Sequence, residues 1–172
     1  MHASIFCLVI FEQAQWFNHG GDDTVADVHP ENTKVAHGNS MMAATVCATV
    51  VQLVGAKVLD KTVFLTGATS YIGKAVALYL ANKGFEVVCY IESQEEFKDI
   101  SSQLPDSALG RLCRADTLAC GAGIGTWVIG KYDHAVNDHM PIGCEAVIFS
   151  VRDPVNQRKR PDIHVTSGKD PL

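Results

Sequence analysis

The chain has 172 residues, 47% of them hydrophobic and 19% charged, and a formal net charge of −5. That length holds one domain with a sizeable core and excludes a second of full size, and the apolar content excludes a generally disordered chain. The negative balance removes any overall electrostatic reason to bind nucleic acid or anionic lipid, and the basic run Arg158-Lys159-Arg160 reads as a solvated tail.

Residues 4–11 imitate the apolar part of a secretion signal. No Lys or Arg precedes them, however, and Glu12 stands where a small-residue cleavage site belongs, so a buried strand or the remnant of a longer protein is expected. Between Gly20 and Asn32 the Asp, Gly, His and Asn content and Pro30 abolish periodicity, which predicts a loop and makes residues 1–32 an irregular N-terminal segment. Residues 33–37 form a short strand candidate. Gly38-Asn39-Ser40 then offers a turn and an N-cap for a helix over residues 41–54. The stretch from Met41 to Leu59 has the length of a membrane span, but Thr45, Thr49, Gln52, Gly55 and Lys57 interrupt it, and a buried helix is expected instead.

Residues 62–66 are β-branched and apolar, as expected of a parallel strand covered on both faces. A helix follows over residues 72–83, with Gly84 placed for a left-handed C-terminal cap. Residues 86–91 are the next buried strand, and Ser93 leads into a polar helix over residues 95–104 that Pro105 stops. Later strands are predicted at residues 126–129 and 146–151, with no clear helix between them, and the chain after Arg152 lacks periodicity. The alternation gives an α/β fold with three layers and a mostly parallel sheet over residues 33–151, followed by an irregular tail over 152–172.

The chemistry concentrates in Thr66-Gly67-Ala68-Thr69-Ser70-Tyr71-Ile72-Gly73, a turn from strand to helix. Gly67 turns sharply where a side chain would collide with a phosphate, backbone N–H groups at the helix start suit an anion, and Gly73 lets helix and strand pack closely. This is the context of a Rossmann-type dinucleotide site, with NAD(P) as the implied cofactor. Ser70 stands where the related TGxxGxxG pattern has its middle glycine, and so adds a side chain there. Glu92, 19 residues after Gly73, lies near the position from which an acidic residue bonds the ribose 2′-hydroxyl.

Other constellations carry less. Tyr79 and Lys83 match the Tyr-x-x-x-Lys pair of short-chain dehydrogenases, but on the helix directly after the glycine turn, where that pair does not belong. His134 and His139, with Asp133 and Asp138, lack metal-ligand spacing and read as a solvated loop, so no metal is expected in this chain. Cys7, Cys47, Cys89, Cys113, Cys120 and Cys144 form no CxxC pair and read as reduced core thiols of a cytosolic protein. No catalytic residue emerges, and the enzyme question stays open.

Three blocks extend the argument. His37-Gly38-Asn39-Ser40 with its Ala- and Val-rich helix, Val63 to Ser70 with Ile72 to Leu80, and Thr126 to Tyr132 with Pro141-x-Gly143 together resemble the C-terminal domain of the plant ECERIFERUM/GLOSSY cuticular-wax family over about residues 29–151. The resemblance implies a part in converting very-long-chain acyl chains, through aldehydes, to alkanes, in complexes at the cytosolic face of the endoplasmic reticulum. In that family the oxygen-dependent metal chemistry belongs to an N-terminal membrane domain with histidine boxes. This sequence has neither the boxes nor the spans, which implies a truncated or stand-alone piece. Where the family leads one to expect Gly-Thr-x-Phe-His, the chain has Gly143-Cys144-Glu145-Ala146-Val147. Three functions follow: an NAD(P)-binding reductase-like module acting on very-long-chain acyl or aldehyde substrates, a non-catalytic scaffold binding wax-complex proteins, or a short-chain dehydrogenase fragment.

Overall fold

The computed structural model describes residues 4–8, 33–55, 61–149 and 163–165. The predicted loop between Gly20 and Asn32 lies outside them, as do Cys7's side chain and the basic run at Arg158. The chain divides into two units, Met1–Met42 and Ala43–Leu172.

In the first unit, β1 (Ser4–Leu8) pairs in parallel with β2 (Thr33–His37) as a separate two-stranded sheet. Of the two readings of residues 4–11, a strand is the one present within the N-terminal segment, and the predicted strand at 33–37 pairs with it in a sheet separate from the main one. The helix that follows, α1 (Gly38–Gly55), starts three residues before the predicted Met41 and takes up the expected capping turn. It is buried along one face only, through Ala43, Val46, Cys47, Val50 and Val54. Among the described residues no helix is long and apolar enough to cross a membrane.

The second unit is built on a six-stranded parallel sheet. Its strands are β3 (Thr62–Thr66), β4 (Glu86–Tyr90), β5 (Leu112–Ala115), β6 (Thr126–Ile129), β7 (Glu145–Ile148) and β8 (Ile163–Val165). They lie in the order β5-β4-β3-β6-β7-β8, every pair parallel. Helices α2 (Tyr71–Asn82), α3 (Gln94–Ser101) and α4 (His134–His139) connect them, with 3-10 turns at Asp106–Ala108 and Leu118–Gly121. The order 3-2-1-4-5-6 within this sheet is that of the Rossmann fold.

Local chemistry explains the boundaries. Ser93 caps α3 through Glu96 N–H, and the helix ends at Ser101, short of the predicted 104. Gly84 adopts φ +88°, the left-handed geometry expected after α2. The predicted loop at His134–His139 is a helix, because Asp133 Oδ1 accepts from Val136 N–H at 3.0 Å while Val136 and Met140 anchor one face. Two edge strands escape sequence reading: β5, with only Leu112 and Ala115 buried, and β8, within the tail expected to be irregular.

The core is two-sided, as a parallel sheet requires. On one face Phe64, Trp127, Ile129, Ala146 and Ile148 pack with Tyr132, Val136 and Met140 from the loop and helix after β6. Strand alternation turns Val63, Leu65, Val87, Cys89, Val128 and Val147 to the other face, which α2 meets with buried Val76, Ala77, Leu80 and Ala81. Each fully buried side chain of this size contributes about 1.5–3 kcal/mol of transfer free energy. Burial also sets the thiols apart. Cys89 is pushed up to about 12, by burial first and then by Cys113, and Cys47 to about 11 by burial. Cys113 and Cys120, expected in the core, are exposed.

Candidate functional site

The chain order turns back between β3 and β6. From β3 the chain proceeds outward through β4 and β5, and then β6 resumes on the other side of β3. In a parallel sheet this switch point leaves a crevice at the carboxyl ends of the strands, because the following connections diverge to opposite faces. The glycine turn opens at that crevice, since Gly67 follows the last residue of β3.

Three glycines shape the crevice. Gly67 has φ +73°, and a Cβ on it would stand 3.0 Å from Gly130 Cα, so the turns after β3 and β6 touch backbone to backbone. Gly130 N–H donates to Thr66 O at 2.9 Å, and a Cβ on Gly130 would press on that same oxygen and on the Phe149 ring. A Cβ on Gly73 would fall on the Gly67 carbonyl oxygen, which is why α2 can start so close under the strand end. Sequence reasoning named Gly67 and Gly73 but missed Gly130. The available signal was the repeated ending of a buried apolar run in glycine, Leu65-Thr66-Gly67 and Val128-Ile129-Gly130.

Ser70 sits in the expected place with an unexpected orientation. Its Oγ donates to Gly67 O at 2.8 Å and accepts Gly73 N–H at 3.1 Å, while its own N–H bonds Gly67 O at 3.1 Å. The side chain is folded back as the N-cap of α2, away from the collision that replacing a middle glycine would otherwise produce. Removing that cap by Ser70→Ala is expected to cost about 1 kcal/mol, read as a lower denaturation midpoint at unchanged m-value.

The turn leaves backbone donors unengaged. Among the described residues, the backbone N–H groups of Ala68, Thr69 and Ile72 meet no acceptor. The first turn of α2 carries no acidic residue, so its positive dipole end stays uncompensated. Thr66 Oγ1, at the mouth of the turn, is buried with no hydrogen-bond partner, at a cost of about 1–3 kcal/mol in an apolar setting. Tyr71 is 62% exposed and Thr69 is exposed, whereas Ala68 is fully buried and Ile72 half-buried. Glycines in close backbone approach, free amides and an orphaned hydroxyl fit a dinucleotide's phosphates.

Glu92 lies just past β4, the strand beside β3, and is exposed. Its Oε1 accepts from the Tyr90 hydroxyl at 3.0 Å. That bond, then burial and the charges of Glu92 and Asp133, pushes the Tyr90 phenol upward. Arg114 at the end of β5 donates to the carbonyls of Ile91 and Glu92, at 3.0 and 2.9 Å. The Tyr79–Lys83 pair is remote from all this: eight residues of helix, roughly 12 Å, separate Tyr79 from Tyr71. The Lys83 ammonium lies 5.6 Å from the half-exposed Tyr79 ring. Among the described residues no group of three or more His, Cys, Asp or Glu is placed to hold a metal ion.

Sheet order, switch point and glycine turn define a Rossmann-type α/β domain. Over residues 63–168 the chain matches the family described as CER1-like, C-terminal domain. It is 34% identical over 115 residues to the very-long-chain aldehyde decarbonylase GL1-2 of Oryza sativa subsp. indica, covering 66% of this chain and 17% of that protein. To GL1-1 of the same plant it is 29% identical over 133 residues, covering 77% and 20%. This chain belongs to the CER1-like C-terminal domain family, the wax-biosynthesis family that its sequence resembles. It spans 17–20% of the length of these curated relatives. A solved Mesorhizobium loti protein described as an NADPH:quinone reductase superposes with a TM-score of 0.50 at 13% identity, covering 74% of this chain and 42% of that one. That likeness is one of fold.

Proposed function

We propose that this domain binds a nicotinamide dinucleotide at the Thr66–Gly73 turn and serves as the reductase-like module of a larger very-long-chain aldehyde-processing protein. The observation that carries the reading is the cradle of Gly67, Gly73 and Gly130, packed at backbone contact beside the unengaged amides of Ala68, Thr69 and Ile72. The turn would hold the pyrophosphate and Glu92 the adenosine ribose. When bound, the nicotinamide would supply a hydride donor or acceptor; the chain's own residues bind and orient it. The names of the rice relatives point to very-long-chain aldehydes as the substrate class. Partner proteins of the wax complex and a place at the cytosolic face of the endoplasmic reticulum belong to the same reading.

A scaffold without nucleotide is the second reading, favoured by the Tyr79–Lys83 pair lying remote from the turn; Ser70, folded back as a helix cap, favours neither reading. Calorimetric titration with NADH and NADPH separates the two. Gly67→Ala is a poor control, since its Cβ strains the turn and presses on Gly130. Thr69→Glu is better, because residue 69 is exposed and the new carboxylate repels a phosphate without touching the core. Saturable binding that Thr69→Glu weakens at least about tenfold supports the nucleotide reading. No binding up to about millimolar nucleotide, an interaction free energy of only about 4 kcal/mol, leaves the scaffold.

A further inference from the structure

Beside the glycine turn, between the start of α2 and α3, lies a groove of about 370 Å³ lined by Thr69, Lys74, Glu95, Glu96, Asp99 and Ile100. Three carboxylates face one ammonium there. Lys74 follows Gly73 directly and is the basic side chain closest in sequence to the turn. Its Nζ lies 2.6 Å from Asp99 Oδ2, so its charge is already engaged by α3. The neighbouring strand end repeats the pattern. Glu92 holds the Tyr90 hydroxyl, and Arg114 is turned to the carbonyls of Ile91 and Glu92, with Asp116 3.9 Å from its other guanidinium nitrogen. Lys74 and Arg114 are thus both engaged by the protein itself, and among the described residues that line the groove three carboxylates stand against one lysine.

We propose that Asp99, by holding Lys74, is a specificity determinant that closes this groove to a 2′-phosphate, so that the domain takes NAD(H) and rejects NADP(H). The inference rests on the dinucleotide reading above. In a Rossmann site the adenosine ribose lies toward the strand next to the glycine turn, here β4. A carboxylate there accepts a bond from a free 2′-hydroxyl, whereas a 2′-phosphate requires an available cation. A phosphate bearing about −1.5 to −2 charges in this groove would meet the carboxylates of Glu95 and Glu96 beside a lysine that is already paired. Asp99 controls the balance because it occupies the one lysine lining the groove. The pair is solvent-accessible, with Lys74 and Asp99 side chains 30% and 66% exposed, so releasing the lysine does not disturb the core.

The test is calorimetric titration of the full chain with NADH and NADPH at low and at physiological ionic strength. The proteins are wild type, Asp99→Asn and the double variant Asp99→Asn with Lys74→Met. Wild type is expected to bind NADH at least about tenfold more tightly than NADPH. Asp99→Asn should raise NADPH affinity about tenfold at low salt while leaving NADH nearly unchanged, and the gain should shrink as salt screens the exposed charges. The double variant should lose the gain, which assigns it to the released ammonium. Equal binding of both nucleotides by wild type, or an Asp99→Asn effect that is absent or the same for both, overturns this inference and leaves the dinucleotide reading standing. Failure of every protein to bind either nucleotide overturns both.

Discussion

Trp127→Ala is expected to destabilise the domain by about 3–5 kcal/mol, measured as the loss of unfolding free energy in denaturant. The indole is fully buried in the middle of the sheet. It packs on Phe64 with ring centroids 4.4 Å apart and planes tilted by 44°, and its Nε1–H donates to Gly121 O at 3.2 Å. Alanine empties that volume and removes one of the two hydrogen bonds that the Gly121 carbonyl accepts, the other coming from Ile124 N–H at 3.0 Å, so the cavity is the main cost. Gly121 makes the site hard to refill, because a Cβ there would run into the indole itself, so this backbone is already shaped around the ring. Against a total stability of about 5–15 kcal/mol, the variant should be largely unfolded at a modest denaturant concentration. Trp127→Phe provides the comparison, since it keeps an aromatic body and loses mainly the hydrogen bond and part of the volume. A loss below about 1 kcal/mol for Trp127→Ala would show that the packing around β6 is looser than described.

Gly73→Ala is the second large effect, expected at about 3 kcal/mol or more. In most helices the substitution is favourable by up to about 1 kcal/mol, because glycine is a poor helix former. At position 73 the added Cβ would fall on the Gly67 carbonyl oxygen, with Gly67 C at 2.8 Å and Ala68 Cα at 2.9 Å. These are backbone atoms of a turn closed by the Ser70 bonds, so no side chain can swing aside. Helix α2 would have to move off β3, opening the packing of Val76, Ala77 and Leu80. Gly123→Ala serves as the control. No atom lies within 4 Å of its added Cβ, and its change should stay within about 0.5 kcal/mol. Equal midpoints for the two variants in thermal or denaturant unfolding would overturn the close-packing role assigned to Gly73.

Much of the site was legible because its signals are local. Gly67 and Gly73 announce themselves as the two ends of a strand-to-helix turn, and residues 62–66 form a run too apolar to be anything but covered on both faces. Ser70 was legible as a departure from the middle glycine, yet its consequence was not. A serine three residues before Gly73 can cap a helix or obstruct a phosphate, and only the rotamer decides between them. Gly130 was invisible as a site residue because its role is to face Gly67 from 63 positions away. His134–His139 looked like a loop because six polar-rich residues carry no period. Its two anchors, Val136 and Met140, acquire meaning only against the sheet.

What the sequence by itself determined is the alternation of strand and helix from β3 to α3, the position of the glycine turn and membership of the wax-biosynthesis family. Each of these follows from residues close together along the chain: β-branched runs, capping serines, glycines at turns. The tertiary structure decided which strands are neighbours, and with them where the crevice lies. The short edge strands β5 and β8 gain their identity from hydrogen bonding to β4 and β7, not from any pattern of their own. The meeting of Gly67 with Gly130 and the capture of Lys74 by Asp99 arise in the same way, since contacts between distant segments depend on how the layers pack.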